Sequence, residues 1–338
     1  LGTGYFSDKG SIVVRILTFG TEVFSETFWK DKLQSAWYLR TQLLDFEVTN
    51  AFRVIHGEGD GISGLIIDYY DKNWVIQAHS TGVFLQMKEI AEAIQSNFPD
   101  FCDTIYCKSA GTLPNTGTDY FLFGTKADTV AKENNILFSV NWVEGQKTGF
   151  FLDQRENRKL LGEFSKGKKV LNTFCYTGGF SIYAMNAGAE LVTSVDISQK
   201  AVDLAASNME LNFPKANHTA VADDVFNFMR EHTQYYDVIV LDPPAFAKSI
   251  KSKHTATQAY KRLNIAGLKA LAPNGILFTF SCSQVIDDVL FYNTVAAAAI
   301  ESGRNIRVLH KLGQGPDHPT NIYHPEGHYL KGLVLFVE

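Results

Sequence analysis

An aspartate in the second half of the chain has the type and the surroundings for chemistry on a planar base. Asp242 opens the run Asp-Pro-Pro-Ala-Phe after an apolar stretch, and the two prolines restrict the backbone that follows it. A carboxylate held in this way is suited to accept a hydrogen bond from the exocyclic amino group of a flipped base, on which Phe246 can stack. A rigid turn that merely ends a strand is the alternative.

A cysteine provides a second reactive group. Cys282 lies in the run Ser-Cys-Ser after the next predicted strand. Buried cysteines are usually inert, but a position beside Asp242 makes this thiol a candidate nucleophile. A thiolate that adds to C6 of cytosine activates C5 to take a methyl group, and a base then removes the C5 proton so that elimination frees the enzyme. Asp287, Asp288 and Asp153 are candidates for that base.

Residues 169–196 are the stretch around which these groups are organised, and their pattern predicts strand, glycine turn, helix and strand. Gly178 and Gly179 allow backbone N–H groups and the positive end of a helix to approach a ligand. Asp196 follows Gly179 by 17 residues (196 minus 179) and can accept from ribose hydroxyls. The G-x-G-x-x-G motif is absent, which favours S-adenosylmethionine over NAD. An ordinary structural turn remains an alternative.

Strands and helices alternate from residue 142 onward, which is typical of a doubly wound, mostly parallel sheet. Predicted strands cover 169–174, 191–195, 218–222, 237–241, 276–280, 306–310 and 329–337. Predicted helices cover 153–164, 180–187, 199–212, 225–231, 257–270 and 287–302. Ligands of such sheets bind beyond the carboxyl ends of the strands. We therefore expect one shared edge for the polar residues that follow the strands, namely 172–179, Asp196, 223–224, 242–244 and 281–283.

Asp223 and Asp224 allow two interpretations. They follow the third predicted strand, where a carboxylate can accept from an adenine amino group. An aspartate before an apolar helix also satisfies the unpaired N–H groups at the helix start. One aspartate can fill each role.

The first part of the chain is predicted to be β-rich. Residues 11–18 are expected to form a strand without a nearby partner, and residues 23–44 an amphipathic helix. Strands are predicted at 51–55, 64–68, 74–79, 104–107, 120–123 and 136–140, with a helix over 84–96. His56, Glu58 and Asp60 are interpreted as polar turn residues rather than metal ligands, and no metal is expected.

Composition describes an ordinary globular protein, with 45% hydrophobic residues and a net charge of −5. No apolar run approaches the roughly 20 residues needed to cross a bilayer, so no membrane partner is expected. Cys102, Cys107, Cys175 and Cys282 have no metal spacing and predict free thiols in a reducing cytoplasm. The chain opens at Leu1, so we expect it to be cut or processed. The sequence leaves open whether the chain forms a homodimer.

Basic residues cluster after Asp242, where residues 243–286 hold no acidic side chain. This segment either faces phosphates or is an ordinary solvated face. On the first interpretation, the residues that contact RNA are expected to be Pro243, Pro244, Phe246, Lys248, Lys251 and Lys253.

A resemblance to a known family is carried by the runs KTGFFLDQRENR, NTFCYTGGF, VDISQKAV, DDVF, DVIVLDPPAF, SCS, DHP and EGHYLKG. Through them residues 146–338 resemble the methyltransferase domain of the bacterial large-subunit ribosomal RNA cytosine-5 methyltransferase I family. Residues 50–141, with FRVIHGEGDGISGLIID, resemble its central β-rich domain. Residues 1–20, with GTGYFSDKGSIVVRILT, resemble the tail of its PUA-type RNA-binding domain, most of which we expect to be missing.

The resemblance implies a Rossmann-like class I methyltransferase with a seven-stranded, mostly parallel sheet, preceded by an α+β domain and a truncated PUA-type fragment. The implied domains are 1–20, 21–141 and 142–338. The implied activity is the formation of 5-methylcytidine in large-subunit ribosomal RNA with S-adenosylmethionine. This activity would use Cys282 as the nucleophile and Asp242 beside it.

The resemblance also implies cofactor contacts at Thr148, Phe150, Asp153, Gln154, Arg155, Asn172, Phe174, Tyr176, Thr177, Gly178, Gly179, Asp196, Ser198, Asp223, Asp224 and Asp242. One departure stands out, because the family usually carries an acid where this chain has Asn172. Two other functions are considered. One is base N-methylation of guanine or adenine, which needs no thiol, and the other is a non-catalytic RNA-binding or ribosome-assembly factor.

Overall fold

The computed structural model describes residues 2–6, 12–20, 25–113, 115, 117–247 and 249–338. The chain forms two compact units. The first unit comprises residues 1–153 and 315–327, and the second unit comprises residues 154–314 and 328–338. This division differs from the predicted boundary at residue 142, because residues 142–153 and the returning segment 315–327 group with the first unit.

The first unit begins with an antiparallel hairpin of β1 (Gly2–Phe6) and β2 (Val14–Phe19). The expectation that the strand near residues 11–18 lacks a nearby partner is therefore wrong, and Ser11 lies outside the described residues. Helix α1 (Phe28–Leu43) is shorter than the predicted 23–44. Residues 23 and 24 lie outside the described residues, and residues 25–27 precede the helix in a turn.

A five-stranded sheet forms the body of the first unit, with the order β3-β4-β5-β6-β7. These strands are β3 (Ala51–His56), β4 (Leu65–Tyr70), β5 (Asn73–Ala78), β6 (Thr104–Lys108) and β7 (Asp119–Phe123). Helices α2 (Thr81–Phe84) and α3 (Met87–Asn97) connect β5 to β6, the one parallel pair among these strands. A hairpin of β8 (Asp128–Glu133) and β9 (Ile136–Asn141) follows. The sequence analysis does not predict β8.

A buried guanidinium explains why the segment 315–327 groups with the first unit. Arg40 on α1 is fully buried, and its Nη2 donates to Asp60 Oδ2 and to the carbonyl oxygen of Asp317, each at 2.8 Å. Its Nε donates to the carbonyl oxygen of Arg53, also at 2.8 Å. The N–H of Arg53 in turn donates to the carboxylate of Asp317 at 3.0 Å. Asp317 is therefore held by both α1 and β3.

The second unit contains the predicted seven-stranded sheet. Its strands are β10 (Lys169–Thr173), β11 (Leu191–Asp196), β12 (His218–Ala222), β13 (Tyr236–Leu241), β14 (Leu271–Ser281), β15 (Ile306–Leu312) and β16 (Lys331–Val337). Their order is β12-β11-β10-β13-β14-β16-β15. The first four pairings are parallel and the last two are antiparallel. The predicted fold class is confirmed.

Helices precede, connect and follow the parallel strands of the second unit. They are α4 (Arg155–Glu163), α5 (Gly179–Asn186), α6 (Gln199–Asn212), α7 (Val225–Glu231), α8 (Lys253–Ala270) and α9 (Asp288–Ser302). The central strands β10 and β13 are buried on both faces, which accounts for their continuous apolar runs. Among the described residues, none of the helices has the length and apolar character needed to cross a membrane.

The contacts of Arg40 yield a first prediction. Replacing Arg40 by Met leaves the buried carboxylate of Asp60 without its cation, and breaking a buried pair in this way costs about 3–5 kcal/mol. We expect the urea midpoint of the first unit to fall accordingly. Tryptophan fluorescence reports on this unit selectively, because Trp29, Trp37, Trp74 and Trp142 all belong to it.

Lys88→Met is the control for this experiment. Lys88 forms an exposed i,i+4 pair with Glu92 at 3.8 Å, so its loss should cost less than about 0.5 kcal/mol. Equal midpoints for the two variants would show that the Arg40 pair does not stabilise the unit.

Candidate active site

The glycine turn, residues 174–178, joins β10 to α5. Phe174, Tyr176 and Gly178 have positive φ angles of 53°, 46° and 79°, so the chain reverses within a few residues. A Cβ on Gly178 would lie 3.0 Å from the Cβ of Ala205 on α6. Both the backbone angle and the available space therefore favour glycine at this position. The turn leads directly into the first N–H groups of α5, which have no partner within the helix.

Asp196 ends β11 beside the glycine turn. Its Oδ2 accepts from the N–H of Tyr176 at 3.1 Å, and its Oδ1 accepts from the N–H of Ser198 at 3.0 Å. These two bonds orient a half-buried carboxylate whose oxygens have further lone pairs for hydroxyl donors. Ser198 itself caps α6, because its Oγ accepts from the N–H of Ala201 at 3.4 Å.

The structure separates the roles of Asp223 and Asp224. Asp224 caps α7, because its Oδ1 accepts from the N–H groups of Phe226 and Asn227, each at 3.0 Å. The N–H of Asp223 donates to the carbonyl oxygen of Asp196 at 3.1 Å, and its Oδ1 accepts from the N–H of Asp224 at 2.7 Å. Asp223 is thus held against the end of β11, next to Asp196.

Asn172 belongs to a polar chain inside the second unit. Its Nδ2 donates to Ser181 Oγ on α5 at 2.9 Å. Ser181 Oγ and Ser194 Oγ are 2.6 Å apart, and Ser194 Oγ is 2.8 Å from His218 Nε2 on β12. Burial lowers the pKa of His218 to about 4. The amide nitrogen of Asn172 is therefore committed to the interior of the unit, and its predicted cofactor contact stays a prediction.

Asp242 follows β13 and is oriented by a glutamine. Its Oδ2 accepts from Gln154 Nε2 at 3.0 Å. Gln154 is buried, and its Oε1 accepts from Asn157 Nδ2 at 2.6 Å. Asn157 Nδ2 also donates to the carbonyl oxygen of Gly313 at 3.1 Å. The side chains at the start of α4 thereby fix the carboxylate of Asp242.

The structure brings Cys282 next to the Asp-Pro-Pro run. Its Sγ lies 3.9 Å from the carbonyl oxygen of Pro243, as a weak S–H donor. The sheet causes this approach, because β13 and β14 are neighbours and Leu241 pairs with Thr279. Cys282 is half-buried, whereas the other three cysteines are buried.

Other predicted cofactor residues of the second unit make internal contacts. Arg155 is buried, and its Nε donates to Glu156 at 3.2 Å. The carbonyl oxygen of Thr177 accepts from Asn208 Nδ2 at 3.0 Å. Phe174 packs against the apolar core of the unit.

Three predicted cofactor residues belong to the first unit. Thr148 is fully buried, and its Oγ1 donates to Asp68 Oδ2 at 2.5 Å. Phe150 packs against Phe138 with ring centroids 4.7 Å apart. Asp153 pairs with Lys147 at 3.4 Å. Their predicted contacts with a cofactor stay predictions.

The predicted RNA-facing residues differ in exposure. Pro244 and Lys251 are exposed, whereas Pro243 is buried. Lys253 Nζ lies 3.5 Å from Asp287 Oδ2. Lys248 lies outside the described residues. Within the described ranges, no group of three or more His, Cys, Asp and Glu side chains is arranged to hold a metal ion.

Two residues near the thiol are not singled out by the sequence analysis. Tyr260 on α8 is fully buried, its ring centroid lies 4.7 Å from that of Phe246, and burial raises its pKa to about 12. Lys331 begins β16, and its buried Nζ donates to the carbonyl oxygens of Ser283 and Tyr329, each at 2.7 Å. The sequence signal that could have identified Lys331 is a lysine at the start of an otherwise apolar strand.

The fold and this site define an S-adenosylmethionine-dependent methyltransferase. Residues 114–325 match a family profile described as S-adenosylmethionine-dependent methyltransferase. A solved structure assigned as a methyltransferase in complex with SAH superposes with a TM-score of 0.86 at 27% identity, over 99% of this chain and 88% of that one. The predicted cofactor is thereby confirmed.

Similar curated proteins show which family of methyltransferases the chain belongs to. This chain is 38% identical to Ribosomal RNA large subunit methyltransferase I of Aeromonas hydrophila, over 99% of this chain and 87% of that protein. It is 40% identical to the protein of the same name from Alteromonas mediterranea, over 100% and 87%. The chain belongs to the ribosomal RNA large subunit methyltransferase I family, as the resemblance in its motifs predicted.

Gly178 yields a prediction for cofactor binding. An alanine at Gly178 combines a positive φ, which costs about 1–3 kcal/mol, with a contact of 3.0 Å to Ala205. The turn must shift and with it the N–H of Tyr176 that orients Asp196. We expect calorimetry to show at least about tenfold weaker SAH binding, equivalent to about 1.4 kcal/mol.

Gly188→Ala is the matched control for Gly178. Gly188 also has a positive φ, at 87°, but its nearest neighbour would be 3.9 Å away. The Gly188→Ala protein should lose stability through backbone strain and keep its affinity for SAH. Unchanged SAH binding by the Gly178→Ala protein would refute the proposed role of the turn.

His218 yields a prediction for pH dependence. Its pKa is about 4 in the folded protein against 6.5 for the free side chain, so the unfolded chain binds the extra proton first. The free energy of unfolding should therefore fall, by up to about 3 kcal/mol from this group, as the pH drops from about 7 to 4. His218→Gln should flatten that slope in urea midpoints followed by far-UV circular dichroism.

His310→Gln serves as the control, because it replaces an exposed histidine on β15 of the same unit. It should keep the slope of the unmodified protein. Identical slopes for the two variants would mean that His218 does not contribute to the acid sensitivity.

Proposed function

We propose that this chain transfers the methyl group of S-adenosylmethionine to C5 of a cytosine in large-subunit ribosomal RNA. The names of the curated relatives support this RNA as the substrate. The cytosine assignment rests on the approach of Cys282 Sγ to the Pro243 carbonyl oxygen at 3.9 Å. This contact sets a thiol directly beside the run that presents Asp242. Methylation of a base nitrogen has no use for a thiol at this position.

The proposed reaction begins at Cys282. Its thiolate adds to C6 of the cytosine, a C6–S bond forms, and the electrons of the C5–C6 double bond make C5 nucleophilic. S-adenosylmethionine supplies the electrophilic methyl group that C5 takes. A base then removes the proton from C5, the double bond forms again, and the C6–S bond breaks to return the thiolate.

Asp242 is proposed to accept from the N4 amino group of the cytosine. Gln154 already binds one of its oxygens, so the carboxylate is oriented before a base arrives. The two prolines that follow Asp242 restrict the backbone and lower the entropy lost on binding. A carboxylate acceptor selects for the amino group of cytosine, since uracil presents a carbonyl oxygen at the same ring position.

The residues of the second unit fit the proposed cofactor contacts. Asp196 provides an oriented carboxylate acceptor for two ribose hydroxyls, and Asp223 is held next to it by its own N–H. The start of α5 offers N–H donors, where the glycine turn keeps side chains away. These residues would bind and orient the nucleoside part of S-adenosylmethionine.

One candidate for the base that removes the C5 proton has a lowered pKa. Asp287 accepts from the N–H of Leu290, and this bond together with Lys253 lowers its pKa, so it holds a proton poorly. Asp288 Oδ1 lies 3.4 Å from His328 Nε2. Asp288 and Asp153 remain the candidates.

The cytoplasmic location and the homodimer stay predictions. A cytoplasmic location accords with a ribosomal RNA substrate.

A trapping experiment tests the proposed function. RNA that carries 5-fluorocytidine blocks the removal of the C5 substituent, so the methylated base should stay bound to Cys282. With S-adenosylmethionine we expect a protein–RNA adduct that survives denaturing electrophoresis, with mass spectrometry locating the bond at Cys282. Cys282→Ala should abolish both the adduct and methylation.

Cys102→Ala is the matched control. Cys102 is buried and burial raises its pKa to about 11, so it should not act as a nucleophile. This variant should form the adduct normally. If the Cys282→Ala protein still methylated RNA and formed no adduct, the reaction would be N-methylation instead.

A further inference from the structure

Lys331 is a buried cation beside the candidate nucleophile. It begins β16 and pairs directly with Ser281, the last residue of β14 before Cys282. Its Nζ donates to the carbonyl oxygen of Ser283 at 2.7 Å, so the ammonium lies alongside the segment 281–283. The second bond, to the carbonyl oxygen of Tyr329 at 2.7 Å, fixes it there. Two of its three N–H donors are thereby used.

The charge of this ammonium is not balanced by a carboxylate at close range. Among the described residues, no Asp or Glu oxygen lies within 4.0 Å of Lys331 Nζ, although the residue is only 3% exposed. Leaving a buried cation unpaired is costly, so a nearby anion is expected. Burial lowers the pKa of Lys331, and negative charge on Asp288, Cys282 and Asp287 raises it.

Of these three groups, the sulfur of Cys282 is the one that water screens least. The side chains of Asp287 and Asp288 are 62% and 65% exposed, so solvent weakens their attraction for the ammonium. Cys282 is half-buried. Asp287 also forms an ion pair with Lys253, and Asp288 lies close to His328.

We propose that Lys331 is a positioning residue that keeps the Cys282 sulfur in its reactive thiolate form. The ammonium stabilises the negative charge on sulfur, and the proton of the thiol goes to solvent. This proposal rests on the proposed function, since it supplies the nucleophile for the addition to C6. A thiolate that is populated near neutral pH reacts without a separate base to deprotonate it.

Three carboxylates and a tyrosine are among the described titratable groups around the pair. Asp242 beyond β13 and the exposed Asp287 and Asp288 at the start of α9 repel a thiolate. Tyr260 on α8 is neutral near pH 7, because burial raises its pKa to about 12. Lys331 supplies a buried positive charge that offsets these carboxylates.

Alkylation of the free enzyme tests the proposal without RNA or cofactor. The rate of iodoacetamide modification of Cys282, followed by mass spectrometry from pH 5 to 10, reports the thiolate fraction. In Lys331→Met we expect the midpoint to move upward by about one unit or more, with about tenfold slower alkylation below the midpoint. Lys331→Arg keeps the positive charge, so its midpoint should stay close to that of the unmodified protein.

Lys108→Met is the matched control. Lys108 in the first unit also donates its Nζ to two backbone carbonyl oxygens, those of Trp142 at 2.6 Å and Gly145 at 2.5 Å, and burial lowers its pKa as well. This variant loses the same kind of contacts, and the midpoint of Cys282 should stay in place. An unchanged midpoint in Lys331→Met, or an equal shift in Lys108→Met, would overturn the proposal.

A reciprocal measurement does not depend on the folding of any Lys331 variant. If Lys331 stabilises the thiolate, then the thiolate stabilises the charged ammonium by the same free energy. The titration of Lys331 Nζ by NMR should therefore move to lower pH in Cys282→Ser, and identical titrations would overturn the proposal. Full methylation by Cys282→Ala would refute the proposed function, whereas the Lys331–Cys282 coupling would still be measured.

Discussion

The pairing of β10 with β13 is the constraint on which the candidate site depends. Thr173 pairs with Leu241, so the glycine turn and the Asp-Pro-Pro run leave the sheet side by side. The chain continues from β10 to β11 on one side, while β13 and β14 lie on the other, which opens a crevice at the point where the strand order reverses. Parallel pairing brings the polar ends of β10, β11, β13 and β14 to one edge.

Hydrogen bonds then orient the groups that the sheet brings together. Asp196 is fixed by two backbone N–H groups and Asp242 by Gln154. Such preorganisation matters because a carboxylate that is already oriented loses little freedom when a ligand binds. Lys331 is also held in place by hydrogen bonds, since its ammonium donates to two carbonyl oxygens.

Helix capping explains why several polar residues after strands need not face a ligand. Asp224 and Ser198 satisfy the N–H groups at the starts of α7 and α6. Asn172 directs its amide nitrogen into a buried chain that ends at His218. Position at a strand end thus does not by itself establish a role in the site.

The sequence by itself determined the fold of the second unit, the position of the glycine turn, the family and the cofactor. It did so because apolar runs, glycine and proline positions, and contiguous motifs are local signals. It also located α6 at residues 199–212 and α7 at residues 225–231, where caps and apolar periodicity agree. Within the first unit it missed β8 and the strand that pairs with β2, since each is short and only its partner makes it a strand.

Only the tertiary structure decided which distant groups meet. Gln154 reaches Asp242 across 88 positions of sequence, and Lys331 reaches Ser283 across 48. The segment 315–327 groups with the first unit because Asp317 binds Arg40 and Arg53. None of these contacts leaves a local pattern, because a buried polar group takes whichever partner the packed fold presents to it.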